Sequence, residues 1–405
     1  MGSLDSTYFI EVTFPDKPVL RDVVAGRDDS CIHRDYKTYG HYAYGVADEG
    51  HSSLQVFDLA YLPDSVHVVY DSEEYTRRCH NIFIHGDRAY LASNLHPDWG
   101  FIPMSVLELG RNPEKPYAST HLSPLVIDGV PQFTHVHDVF VQGDIAYCSN
   151  GNGGLYAYLL GDAPNSFQLQ GVLGNYPDQG YNHSAWGSAD LRYIAMADET
   201  HGMKLKMLDI EDLSDIKVLS TFGSHSELGS IPHNPFILGD KCFVSYYHEG
   251  LVVFDISNPG QVELAGQYDT YPDNGDTAYA GYEGCWGTYP FFSSGTIAAS
   301  DMTHGLFLFN TKNWESPRRK LVDKVQVLRA TLGAGSLTVD FAQAYEGPLR
   351  VRLVDMNGKG LGERVLDFRG RHVEIPIWLG LTPGMYLVSL TTNLGGETIK
   401  VVVHD

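Results

Sequence analysis

The chain has 405 residues, of which 43% are hydrophobic and 19% charged, with a formal net charge of -22. That balance excludes a disordered polar chain. The acidic excess would repel a phosphate backbone, so nucleic-acid binding is excluded as well; solubility and cation attraction are what it favours. No apolar run is long enough to span a bilayer, so no transmembrane segment is expected.

Met1-Gly2-Ser3 reads as an artificial start, and a native signal peptide is expected to have preceded it. Shortly afterwards Val19–Ala25 has the composition of a strand. From residue 33 onward one phrase recurs. A histidine opens it, an aromatic follows three residues later, and a Gly-Asp turn leads into a second strand. Its copies are His80-NIFIHGDRAYLAS, His137-DVFVQGDIAYCS, His183-SAWGSADLRYIAMAD and His233-NPFILGDKCFVSY, with a looser first copy at His33. A sixth, Glu283-GCWGTYPFFSSGTIAASD, opens on Glu. The spacings are 47, 57, 46, 50 and 50 residues. Periods near 50 with several short strands per copy predict propeller blades.

Third strands recur in step: SLQVFDL, MSVLEL, GLYAYLL, LKMLDI, LVVFDI and GLFLFN. Six openings and six third strands predict six blades. The segment 312–319 is charged and contains Pro317, so the last blade lacks a good fourth strand. Val19–Ala25 is expected to supply it and close the ring, which removes open sheet edges. The aromatics Tyr36, Phe83, Phe140, Trp186, Phe236 and Trp286 are expected to pack between blades. After residue 327 the repeat stops, and short strands separated by Asn-Gly, Pro-Gly and Gly-Gly turns follow. The expected fold is all-β: a six-bladed β-propeller over 1–327 and a small antiparallel β-sandwich over 328–405.

In a propeller the opening residues line one mouth of the channel. His33, His80, His137, His183, His233 and Glu283 therefore form a candidate ring. The loops between second and third strands face the same side and add Asp48, His51, His96, Asp198, His201, His248, Glu249, Asp301 and His304. Ten of the 18 histidines fall in these two sets. Imidazole with a carboxylate is the donor set of a divalent transition metal, and an open position could activate water. Glu283 is the expected carboxylate ligand and general base. The competing reading is structural: a repeated His can hydrogen-bond the neighbouring blade's backbone, and Asp at a turn can bond its own backbone. Tyr246, Tyr247 and Trp99 could stack on a ligand at the same mouth. The five cysteines form no CxxC pair, and Cys31 with Cys79 could bridge neighbouring copies in an oxidising compartment. No nucleophile elbow or phosphate loop is present.

The phrases HNPFILGDKCFVSYYHEGLVVFDISNP and YEGCWGTYPFFSSGTIAASDMTHGLFLF resemble the LVIVD-repeat, choice-of-anchor B family of bacterial surface proteins over roughly residues 30–310. That resemblance implies a propeller outside the cytoplasm, with no assigned reaction. The C-terminal stretch resembles the type A sorting domain of the type IX secretion system. It does so through Asp355-x-Asn357-Gly358, Leu381-x-Pro383-Gly384-x-Tyr386 and the basic-valine strand around Lys400. The likeness implies a Bacteroidota-like source, export through the outer membrane, and an extracellular or cell-surface location. The export machinery would be the partner of that domain. The function expected is a binding module for a small molecule, glycan or protein, with a metal ion at the His-rich mouth. The alternative is a metal-dependent enzyme, an oxidase, lyase or hydrolase, using the same ring.

Overall fold

A computed structural model of the chain describes residues 1–127, 130–161, 167–224, 229–274, 278–310, 327–332, 336–355, 360–376, 381, 384–392 and 395–403. Among them the fold is all-β; the helical residues are two 3-10 turns, Leu213–Asp215 and Pro272–Asn274. The chain divides into two compact units, Met1–Trp314 and Glu315–Asp405.

The first unit repeats one device. Four antiparallel strands follow each other up and down in a sheet, and the next sheet begins beside the first strand of the last. Five sheets have four strands; their first strands are Arg34–Tyr39, Asn81–His85, Asp138–Gln142, Asn182–Gly187 and Asn234–Leu238. A sixth sheet has three described strands, Cys285–Tyr289, Thr296–Asp301 and Gly305–Asn310. The middle strands are apolar and covered on both faces: Tyr42–Ala47 and Leu54–Asp58 are buried throughout. Outer strands such as Gln168–Leu173 are half exposed, which limits the apolar edge offered to water. First strands pack against one another, and their aromatics form an inner layer. Phe83 meets Phe140 at 5.5 Å, Phe140 meets Trp186 at 4.9 Å, and Trp186 meets Phe236 at 4.8 Å. The hairpin at Gly239 needs a left-handed backbone (φ 62°), which glycine adopts without cost.

Two expectations change. Val19–Ala25 does not close the sixth sheet. It pairs with Ser6–Glu11, from Ser6↔Ala25 to Glu11↔Val19. Its alternation suited any edge, and a nearby strand reaches it with a short loop. The segment 312–319 lies outside the described residues. Cys31 and Cys79 are not bridged; all five cysteines are buried free thiols, and burial raises each pKa. The 57-residue spacing also has a cause. Its copy holds two nine-residue strands, Arg88–His96 and Gly100–Glu108, and an extra hairpin, Leu125–Ile127 with Val130–Phe133.

In the second unit, Ser336–Asp355 is the organising strand. It pairs with Val327–Leu332, Gly360–Pro376 and Gly384–Thr392, and the last of these pairs with Gly395–Val403. These five strands hydrogen-bond as one sheet, with a register break between Asp340 and Tyr345. Leu337, Val339, Leu349, Val351, Val388 and Leu390 lie in its core. Val327 thus belongs with the second unit's first described strand, while 311–326 lie outside the described residues. So do the Asn357-Gly358 turn and Pro383.

Candidate metal centre

Each first strand is entered through the residue that opens the repeat, and the up-and-down sheets bring these residues together. Five imidazoles and one indole form a closed circle. Ring centroids are 5.7 Å apart for His33–His80, 3.9 Å for His80–His137, 4.3 Å for His137–His183 and 4.2 Å for His183–His233. The circle closes through Trp286, 5.8 Å from His233 and 4.9 Å from His33.

Glu283 is therefore not the sixth member. It is exposed, while Trp286 holds the ring position. Register explains the difference. Ser184, one residue after His183, pairs with Ala197, and Trp186 pairs with Ala195. In the sixth sheet Gly287 pairs with Ser300 and Tyr289 with Ala298, so Trp286 and Tyr289 match His183 and Trp186. A bulge between Cys285 and Gly287 accompanies the shift.

The nitrogens on the circle are not equivalent. His33 Nδ1 is held by Glu49 and His80 Nδ1 by Asp48 at 2.8 Å. His233 is engaged at both nitrogens: Nδ1 donates to the Trp286 carbonyl at 2.5 Å, and Nε2 accepts from Trp286 Nε1 at 2.8 Å. His183 is 3% exposed, and its Nδ1 has no hydrogen-bond partner among the described residues. Backbone locking thus accounts for the His233 ring and not for His80 or His183.

Burial holds His183 well below the usual histidine range, and the neighbouring imidazoles add to it. His137 is lowered for the same two reasons, and His233 falls to about 3, chiefly by burial. These rings are neutral at pH 7, the form that ligates metals. Burial pulls His80 down too, but the Asp48 hydrogen bond and charge outweigh it and its pKa is raised.

Two groups of three could each hold an ion: His80, His137 and His183, and His183, Glu199 and His233. Within each, one ligand atom per residue lies within 4.8 Å of the others. Metal–nitrogen bonds near 2.0–2.1 Å put tetrahedral ligands about 3.4 Å apart, so small side-chain movements close either group. In the first group the Asp48 contact fixes the proton on His80 Nδ1 and leaves Nε2 for an ion, the usual outer-shell device.

Glu199 is the carboxylate that repeat reasoning missed. Its Oε2 lies 3.9 Å from His183 Nε2, its Oε1 lies 3.8 Å from His233 Nε2, and Tyr247 Oη donates to Oε1 at 2.6 Å. Burial raises its pKa, and that hydrogen bond opposes the shift. A signal for it existed: two of the three Asp-x-x-His phrases carry Glu after the Asp, as Asp48-Glu49 and Asp198-Glu199. Both glutamates face ring histidines.

Most of the loop set has other work. Asp48 joins the ring through His80. Asp198 is fully buried, bonded to Lys206 Nζ at 2.6 Å, Tyr176 Oη at 2.9 Å and the Gly180 amide at 2.8 Å. Asp301 accepts from Thr270 Oγ1 and from the amides of Thr303 and His304. His304 pairs with Asp273, exposed His51 with Glu73, and His201 with the Gly229 carbonyl. His96 stacks under exposed Trp99 at 4.3 Å, His248 stacks on Tyr279 at 4.5 Å, and Glu249 meets Gln267. Tyr246 is core rather than a stacking platform, and Tyr247 is buried against Glu199.

Residues 236–270, the fifth sheet, match the profile of the LVIVD repeat. No curated protein matches the chain. Among solved structures it is similar to a periplasmic gluconolactonase of Pseudomonas aeruginosa, at 12% identity over 92% of this chain and 96% of that one (TM-score 0.52). It is also similar to a candidate 6-phosphogluconolactonase of Bacteroides fragilis, at 12% identity over 71% and 83% (TM-score 0.52). Another such candidate, from Bacteroides uniformis, gives 11% identity over 87% and 91% (TM-score 0.51). At such identities the likeness is one of fold alone. The fifth sheet thus matches the LVIVD repeat, and the likeness of the wider chain is to β-propellers.

Proposed function

We propose that the chain is an exported, six-bladed propeller that serves as a binding module. Its working centre is a divalent transition-metal site built from His80, His137 and His183. The blade count is supported by the six sheets and the closed circle of six rings. We read the second unit as a sorting sandwich, its long strands folded over a shared apolar core, and thus as an address for the export machinery. We assign the protein to the extracellular or outer-surface space and to the choice-of-anchor B group. Five buried, protonated thiols are inert enough to persist there.

The observation that carries the metal reading is the first group itself. Three ligand atoms converge, two of the rings are held neutral, and the buried Nδ1 of His183 has no partner. An unpaired buried polar atom costs about 1–3 kcal/mol, and a bound ion that orders the rings is one way to offset it. When bound, the ion would supply a Lewis-acid position for a donor group of a small molecule, glycan or protein.

The experiment is metal analysis of the purified chain, then titration of chelator-stripped protein with Zn(II) and Cu(II). About one ion per chain is expected. His137→Ala and His183→Ala should weaken uptake at least about 100-fold, beyond the usual effect of outer-shell partners, with the urea midpoint retained. Absence of uptake by the wild-type chain, or unfolding of both variants, sinks the metal centre and favours a structural ring.

One observation favours an enzyme on the same site. Glu199, raised in pKa and positioned by Tyr247, lies beside His183, where a carboxylate can accept a proton. Glu199, not Glu283, is the general base in that reading. Turnover lost in Glu199→Gln with Zn(II) affinity unchanged would select it over a pure binding module.

A further inference from the structure

The two ligand groups differ in chemistry. His80, His137 and His183 are all imidazole, a set suited to Zn(II) or Cu(II). His183, Glu199 and His233 are two imidazoles and a carboxylate, a set that accepts Fe(II) and Mn(II) with open positions. The groups share His183, which is nine-tenths buried with an unpartnered nitrogen. They differ also in readiness. His80 keeps Nε2 clear of its Asp48 contact, whereas His233 has both nitrogens engaged by one residue, Trp286.

We infer that His183, Glu199 and His233 form a second, latent metal position of Fe(II)/Mn(II) type, and that the Trp286 side chain keeps it closed. The inference rests on the metal reading above, since both positions use His183. Trp286 occupies the one place on the circle where the other five sheets present histidine. Its indole Nε1–H covers the lone pair that His233 Nε2 would give to an ion. Its main-chain carbonyl accepts a hydrogen bond from His233 Nδ1–H and so holds the tautomer that ligation through Nε2 requires. One residue thus orients the ligand with its backbone and caps it with its side chain. On the far side Glu199 Oε1 is held by Tyr247, while Oε2 faces His183 Nε2. Opening the position needs the indole freed from His233 Nε2 and from its hydrogen bond with Tyr247, and turned away toward His33, its T-shaped neighbour.

The test removes the cap and keeps the carbonyl. Trp286→Phe preserves an aromatic ring against His33 and deletes the donor. Chelator-stripped full-length wild type and variant are titrated with Mn(II), followed by electron paramagnetic resonance, and in parallel with Zn(II). The variant should bind Mn(II) about 3- to 10-fold more tightly, the worth of one net hydrogen bond, with Zn(II) affinity little changed. Adding Glu199→Gln should abolish the gain; adding His137→Ala should not, because His137 belongs to the first group alone. Equal Mn(II) affinity in variant and wild type, or a gain that survives Glu199→Gln, overturns the inference. Should Trp286→Phe fail to fold, Glu199→Gln in the otherwise native chain decides: Mn(II) uptake should fall at least about 10-fold with Zn(II) unchanged, and no difference overturns it. Zn(II) uptake indifferent to His137→Ala would instead sink the first position alone.

Discussion

Two sets of repeated polar residues reach the same side of the sheets and do opposite work. At the starts of the first strands, the residues of the circle meet each other, and several nitrogens are left over. In the loops between second and third strands, Asp198 and Asp301 spend their oxygens on nearby amides, two hydroxyls and a lysine. The neighbours Asp198 and Glu199 show the contrast most sharply. One carboxylate is saturated inside its own sheet, and the next faces two imidazoles of the circle. A repeated residue is therefore a poor guide to function by type alone. What separates the sets is whether local partners exhaust the side chain's bonding capacity before it reaches the common centre.

The largest effect that could break this contrast lies at Asp198. It is paired with Lys206, and both side chains are fully buried. Removing one member of a buried pair leaves an uncompensated charge and costs about 3–5 kcal/mol. Asp198→Ala should lower stability by that order in urea unfolding, and Lys206→Met added to Asp198→Ala should recover much of the loss. The Lys206 ammonium also donates to the carbonyls of Asp178 and Lys204, so recovery will be incomplete. If Asp198→Ala kept its stability but lost metal uptake, Asp198 would belong with the circle.

His248 offers a smaller, pH-dependent test. It is 1% exposed and stacked on Tyr279. Burial lowers its pKa, the charge of His201 adds to this, and Glu283 with the Ala280 carbonyl opposes it. The folded protein thus holds His248 neutral where the unfolded chain, near 6.5, takes a proton. Its contribution to stability is complete above that pH and is lost as pH falls below it, at up to about 1.4 kcal/mol per pH unit until the folded pKa is reached. Urea midpoints at pH 7.5 and 5.5 should therefore fall further in the wild type than in His248→Gln. Equal falls would mean that the ring is already solvated in the folded state.

The propeller units were legible because turn chemistry and strand alternation recur together. Gly239-Asp240 punctuates one copy as Gly143-Asp144 does another, and both sit at observed hairpins. Closure was not legible. Val19–Ala25 carries the alternation of an edge strand but no mark of which edge it joins, and its partner Ser6–Glu11 gives no repeat signal. At the site, the five histidines were readable as one set because the repeat fixes their place on each sheet. Glu199 was hidden one residue after a more familiar Asp, and its role depends on the direction in which the chain leaves the strand. The double hold of Trp286 on His233 joins residues 53 positions apart in different sheets, which no local pattern encodes.

The smallest expected effect is at Glu283, and it separates repeat alignment from register. The phrase Glu283-Gly-Cys-Trp286 imitates His183-Ser-Ala-Trp186 in its aromatic, but Trp286-Gly-Thr-Tyr289 imitates it equally well. The backbone chooses the second alignment. Gly284 sits in a left-handed conformation (φ 97°) with the Tyr247 carbonyl so near that a Cβ there would lie 2.4 Å from its oxygen. Cys285 and Tyr247 then exchange backbone hydrogen bonds at 2.9 and 3.0 Å, which fixes where the sixth sheet begins. Glu283 is left outside that bridge and exposed. Glu283→Gln should leave stability within about 0.5 kcal/mol, as surface changes usually do, and should leave both Zn(II) and Mn(II) titrations unchanged. A clear loss of uptake in Glu283→Gln, matching that of Glu199→Gln, would mean that the sixth sheet shifts by three residues when an ion binds, and that the alignment read from the aromatic was the functional one.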